Sequence, residues 1–229
     1  MKHTFWVILP AVLICIFVSC KAGGKSKTSS PEETFSKEAS YALGMNVGTS
    51  LKADNIYPNM EEFTQGIKDV LHDSKPRYTL EEAYQVFSEA FRSLAEKRDM
   101  ENQQSENDFL AENSKKPGVN VTGSGLQYEV ISEGYGPKPT AADTVKVHYQ
   151  GALTDGTIFD SSYERGEPIE FPLNGVIPGW TEGLQLMSVG SKYRLIIPSN
   201  LGYGPEGAGQ QIPPYSTLIF EVELLDIVQ

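Results

Sequence analysis

Sulfur and imidazole are both scarce in this chain. Its two cysteines, Cys15 and Cys20, stand near the start, and nothing after Cys20 carries a thiol. Beyond that point disulfides, cysteine-ligated zinc and cysteine catalysis are excluded. Three scattered histidines, His3, His72 and His148, make neither a triad nor a metal site. No cofactor and no metal is expected. Clustered positive charge is missing too. Net charge is −11, and the basic residues gather only at Lys21, Lys25 and Lys27. An acidic balance gives solubility and argues against nucleic acid, whose binders carry a basic footprint. The apolar fraction, 39%, is low for one compact unit of 229 residues and leaves room for solvated parts. The apolar run at 5–18 is too short for a comfortable membrane span.

That run fits the core of a signal peptide covering 1–19, opened by Lys2 and His3 and closed by Ser19 and Cys20. The motif F-V-S-C, ending at Cys20, resembles a bacterial lipobox, with Phe17 where Leu is usual. The resemblance implies that Cys20 is the lipid-bearing first residue of the mature chain. Residues 20–33, rich in Lys, Gly and Ser, read as a flexible tether.

From Phe35 the pattern is helical: Phe35, Ala39, Ala42, Leu43, Val47 and Leu51 recur at three- and four-residue spacing. Gly44 and Gly48 weaken helix propensity but allow close approach of another helix. Asn59 is placed to cap a second helix carrying Phe63, Ile67, Val70 and Leu71. Thr79 and Glu82 form a second capping-box signal, and the helix starting there looks long. Its first part has an apolar stripe through Leu80, Tyr84, Phe87, Phe91 and Leu94. After Leu94 the sequence is nearly all polar to Asn113, which suggests a helix bridging between domains in solvent. The helical domain and connecting helix are set at 34–115.

Residues 116–229 read as strands. Val145, Val147 and Tyr149 alternate with Lys146, His148 and Gln150. Asp155-Gly156 is a hairpin signal. Pro178 can open a short helix through Trp180, Leu184 and Met187, ended at Val189-Gly190. Further strands are expected at 192–198 and 217–228. One short helix among antiparallel strands is an α+β arrangement.

This region carries V-H-Y (147–149), D-G-x-x-F-D-S-S (155–162), V-I-P-G-W-x-E-G (176–183), G-Y-G (202–204), I-P-P (212–214) and T-L-I-F-E-V-E-L (217–224). Taken singly, Trp180 beside Leu184 reads as core, Asp160 as a turn or cap, and Tyr203 as a loop residue. In this order and spacing the motifs closely resemble the FKBP-type peptidyl-prolyl isomerases. The resemblance implies an antiparallel sheet wrapped around the short helix, and an activity that needs no cofactor and no nucleophile. Amide resonance sets a rotation barrier of about 18–20 kcal/mol. The twisted transition state has a less polar carbonyl, which a dry aromatic slot favours over the planar, hydrated form.

By that resemblance Trp180 floors the slot, with Tyr149, Phe159 and Phe220 as its walls. Val176 and Ile177 form the rim, and the Ile177 N–H would bind a substrate carbonyl. Asp160 matches the edge carboxylate and Tyr203 a hydroxyl that meets a carbonyl. Ile212 matches an apolar residue in a loop overhanging the site. Ile169 stands where many relatives have Phe, and Ala208 where some have His. Both changes shrink the aromatic surface and should alter sequence preference and drug affinity more than reaction type. Phe171 shares Ile169's strand face and is a further substrate-binding candidate. FK506-like macrolides are implied as possible ligands.

Residues 40–48, 63–67 and the long helix resemble, less specifically, the dimerisation module of macrophage infectivity potentiator-like FKBPs. That likeness implies a homodimer of entwined helices, held to the cell envelope through Cys20. Two functions stay open: an isomerase acting on exported proteins as they fold, or a non-catalytic chaperone or surface module that holds proline-containing clients.

Overall fold

The structure, a computed structural model, describes residues 34–228. The expected signal peptide at 1–19, Cys20 and the tether at 20–33 lie outside the described residues. The chain divides between Leu80 and Glu81 into two compact units.

The first unit holds α1 (Lys37–Ala53) and α2 (Met60–Leu71). Each starts where a side chain satisfies backbone N–H groups that the helix itself leaves unpaired. Ser36 Oγ accepts from Ala39 N at 3.2 Å, and Asn59 Oδ1 accepts from Glu61 N and Glu62 N, both at 3.1 Å. Neither helix buries a residue. Leu43, Met45, Ile67, Val70 and Leu71 are all roughly half exposed or more.

The second unit contains nearly all of α3 (Leu80–Asn113), which starts directly after Thr79 as its capping signal predicts. At 34 residues it extends roughly 50 Å. Its polar second half, expected to bridge through solvent, instead docks on the domain that follows. Asn102 Nδ2 donates to the Pro214 carbonyl at 2.9 Å, and Asn113 Nδ2 to Gln127 Oε1 at 2.9 Å. Gln127 Nε2 returns a bond to the Leu110 carbonyl at 2.8 Å. The contact is made by hydrogen bonds, so apolar periodicity carries no trace of it.

Seven antiparallel strands follow: β1 (Val119–Val121), β2 (Gln127–Ser132), β3 (Thr144–Leu153), β4 (Ile158–Ser161), β5 (Ile169–Pro172), β6 (Lys192–Ile197) and β7 (Leu218–Val228). Their order is β1-β2-β6-β7-β3-β4, with β5 also on β3. The predicted turn at Asp155-Gly156 joins β3 to β4, with Gly156 at φ 88° where only glycine is unstrained. The short α4 (Ser162–Arg165) follows β4 directly, and α5 (Pro178–Leu186) has Pro178 at its first turn. α5 stops at Leu186, three residues before the expected Val189-Gly190 end, because Met187 turns to extended backbone.

The core lies between α5 and one face of the sheet. β3 contributes Val145, Val147 and Tyr149; β7 contributes Leu218, Phe220, Val222 and Leu224. α5 supplies Trp180 and Leu184 and sits unusually close to β6. A Cβ on Gly179 would fall 2.4 Å from Ile197 Cγ2, and one on Gly183 2.7 Å from Leu195 Cδ1. On the sheet's outer face, Glu221 accepts from Arg194 at 2.8 Å and pairs with Lys192 at 3.1 Å. His148 faces that side as the alternation predicts, stacked on Tyr163 at 4.7 Å.

Gly179→Ala should lower the stability of this unit by about 1–3 kcal/mol through overpacking against branched Ile197. That outweighs the helix-propensity gain of about 1 kcal/mol. Gly123→Ala, with nothing within 4 Å of its Cβ, should leave the urea midpoint unchanged. Equal midpoints for the two variants would refute the close seating of α5.

Candidate active site

The cavity over α5 has a volume of about 530 Å³ and lies within the second unit. Its floor is Trp180. The indole meets Phe220 at 5.0 Å and 83°, Tyr149 at 5.1 Å and 86°, and Phe171 at 5.3 Å and 51°. Phe159 stands edge-on to Phe220 at 5.5 Å. Apart from the tilted Phe171 contact, these are edge-to-face, the arrangement that ring quadrupoles favour. They also fix the walls, because each ring is held by its neighbour as well as by its strand.

Strand geometry explains how the rings converge. Tyr149 on β3 and Phe220 on β7 both point to the core face, and Gly151 pairs directly with Phe220. A Cβ on Gly151 would fall 2.6 Å from the Phe220 ring and 2.8 Å from that of Phe159. Gly151 therefore gives two aromatic walls the space they fill. Periodicity could not show this, since a glycine leaves no hydrophobic mark. Ile169 and Phe171 share one face of β5, and both line the cavity. Val176 and Ile177 line it from the turn before α5, with Gly175 beside them. Ile177 is the N-cap of α5: its carbonyl accepts from Trp180 N and Thr181 N, while its own N–H lies ahead of the helix.

One edge is polar. The Tyr149 hydroxyl donates to Asp160 Oδ2 and accepts from Arg165 Nη2 at 2.8 Å, while Arg165 Nη1 donates to Asp160 Oδ1. The guanidinium lies 5.5 Å from the Tyr149 ring centroid. Burial pushes the Asp160 carboxyl up, but hydrogen bonds from Tyr149 and Arg165 outweigh it and hold its pKa below the ordinary value. Burial, with the bond to Asp160, raises the Tyr149 phenol. Its bond to Asp160, then that to Tyr149, raises Arg165 further. Sequence reasoning missed Arg165. Its signal is positional: α4 starts right after Asp160 and Ser161, and Gly166 in the left-handed region ends it at Arg165.

Tyr203, from the β6–β7 connection, also lines the cavity and is 41% exposed. Ile212 does not. Expected to overhang the slot, it is 6% exposed and packs in the core. Its N–H and carbonyl pair with Ala208, which turns this part of the loop back on itself. All other expected slot residues border one cavity.

A profile described as FKBP-type peptidyl-prolyl cis-trans isomerase matches residues 136–225. A second, for the domain amino-terminal to such isomerases, matches 36–130. An FKBP-type 22 kDa peptidyl-prolyl cis-trans isomerase of Escherichia coli is 47% identical over 86% of this chain and 97% of its own length. The chain belongs to the FKBP-type peptidyl-prolyl cis-trans isomerases. Among this FKBP's other relatives is the outer membrane protein MIP of Legionella longbeachae, 40% identical over 82% of this chain and 84% of its own. The crystal structure of FkpA from Escherichia coli superposes with a TM-score of 0.69 and 37% identity, covering 83% of this chain and 95% of that one. The family fixes the reaction, rotation about the X-Pro bond, and agrees with the α+β fold built from the strands.

The charge states of the polar edge set a pH expectation. Because Asp160's folded pKa lies below its ordinary value of 3.8, its stabilisation is complete above that value. It is lost as pH falls through the folded pKa. Tyr149, raised above 10.0, stays protonated at neutral pH. Peptide isomerisation should therefore be level from about pH 5 to 8. Arg165→Ala should bring an acid limb closer to the ordinary carboxylate range. Its effect on stability should be small, since both partners are more than 40% exposed. A pH–rate profile decides this: a wild-type limb near pH 6 would assign control to another group.

Proposed function

We propose that this isomerase acts on exported polypeptides as they fold in the bacterial envelope, binding proline over Trp180. Tyr149, Phe159 and Phe220 exclude water from the bond. Val176 and Ile177 form the rim, and the Ile177 N–H and the Tyr203 hydroxyl hold peptide carbonyls. Asp160 orders the twisted peptide, and Ile169 and Phe171 meet the flanking side chain. The closed aromatic floor carries this reading: planar amides lose more on leaving water than twisted ones do. No group must exchange a proton, which fits the held charge states of Asp160 and Tyr149. The cavity is within the usual size of small-ligand sites and would admit an FK506-like macrolide, with Ile169 offering less ring surface than Phe.

Asp160→Leu and Tyr203→Phe should cut turnover of a short X-Pro peptide without unfolding the domain. Trp180→Ala should reduce turnover and also cost about 3–5 kcal/mol in stability. Wild-type turnover in both edge variants would refute their roles. A protein that only holds clients would retain its binding in all three.

A homodimer through α1, α2 and the start of α3 fits the apolar surface of those helices. Gly44 and Gly48 have nothing within 4 Å of a Cβ position, so the chain itself leaves their space open. Lipidation at Cys20 would tether the dimer to a membrane. One fatty chain binds only marginally, whereas two anchor firmly. Among the described residues no helix is long and apolar enough to span a membrane. Sedimentation should give a dimer for wild type and a monomer for Gly44→Leu/Gly48→Leu. Cys20→Ser should leave the membrane fraction. A monomeric wild type, or a Cys20→Ser protein still in the membrane, would overturn the corresponding half.

A further inference from the structure

The connection from β6 to β7 carries Tyr203 over the slot, and both of its ends are fastened to α3. At the first end, Glu106 Oε1 accepts from the Ser199 backbone N–H, and Glu106 Oε2 accepts from Ser199 Oγ at 2.8 Å. At the other end, Thr217 Oγ1 donates to the same carboxylate at 3.4 Å. One turn earlier, Asn102 Nδ2 holds the Pro214 carbonyl at 2.9 Å. Asn102 and Glu106 are four residues apart and so share a helix face. Ser199 and Thr217 are nearly buried, at 5% and 3% exposure. The carboxylate thus replaces water for donors that would otherwise be poorly satisfied.

Between these ends Ile212 packs in the core and pairs with Ala208, while the stretch at Tyr215 holds a less common backbone. Tyr215 adopts φ 57°, an uncommon conformation for a residue with a side chain. Its N–H reaches across the loop to the Gly204 carbonyl at 2.9 Å, next to Tyr203. The Asn102 bond falls on the carbonyl immediately before Tyr215. A constraint applied by α3 therefore reaches the backbone beside Tyr203 through one residue and one hydrogen bond.

The geometry points to Glu106, aided by Asn102, as a positioning residue for the isomerase: it sets the stance of the Tyr203 loop over the slot. It touches no substrate and acts only through the loop. This rests on the proposed place of Tyr203 at the substrate. The loop visits a competent stance for a fraction of the time, and apparent affinity scales with that fraction. Releasing the clamp lowers the fraction and leaves the aromatic floor, hence the chemical step, unaltered.

The test uses the full chain. In Glu106→Ala, amide exchange across 200–216 should speed up. KM for an X-Pro peptide should rise about fivefold, with kcat within about twofold, as expected if the competent fraction falls to about one fifth. Glu106→Gln keeps one acceptor oxygen and should fall between wild type and Ala in both readouts. Tyr203→Phe, measured alongside, tests the slot assignment separately: it should slow turnover without speeding exchange. If Tyr203→Phe is silent while Glu106→Ala still raises KM, the clamp stands and only the hydroxyl's role fails. Faster exchange in Glu106→Ala with unchanged KM would overturn the proposal and leave the clamp purely structural. Unchanged exchange would overturn it as well.

Discussion

The indole of Trp180 is the contact on which the site is assembled. Three rings from three separate strands rest against it, and it can receive them only because α5 lies against β6 at glycine distance. Gly179 and Gly183 remove the side chains that would lift the helix. A helix raised by even one methyl layer would carry the indole away from Phe220 and Tyr149. Core packing and the cavity floor are thus one structure, and a change at Trp180 disturbs both.

The polar edge solves a different problem. A carboxylate beside an aromatic slot risks becoming neutral as water is excluded. Here the guanidinium of Arg165 and the phenol of Tyr149 keep it ionised while occupying its oxygens. Tyr149 takes part in both arrangements, ring against indole and hydroxyl against carboxylate. Its strand position is further pinned by Ser162 Oγ, which accepts from the Tyr149 N–H at 2.8 Å. Buried Ser162 also meets His148 Nδ1 at 2.9 Å, so one hydroxyl ties adjacent residues on opposite faces of β3.

Much of this is legible in the residues. Alternation at 144–153 marks β3 and its buried side, and Asn59, Asp155-Gly156 and Pro178 mark element ends by local chemistry. Ten of the eleven expected slot and substrate-binding residues border the cavity, because order and spacing of motifs encode a fold as well as a list. What escapes has a common cause. Gly151 acts by absence, Arg165 acts from a four-residue helix, and Ile212 is turned inward by a local bridge to Ala208. The face of α3 at Asn102, Glu106, Leu110 and Asn113 makes its contacts through polar atoms. Hydrophobic periodicity reports burial of carbon on a regular element: Gly151, Arg165 and the face of α3 act otherwise, and Ile212 is buried carbon in an irregular loop with no period to read.

The polar docking of α3 also shapes how it lets go. Heat-capacity change and urea sensitivity both grow with the apolar surface a transition exposes. A helix fastened by Asn102, Glu106 and Asn113 uncovers little such surface when it lifts, and water can take over each of its bonds. Its release would be nearly silent in calorimetry and barely favoured by denaturant. It would also add little sticky surface to the protein.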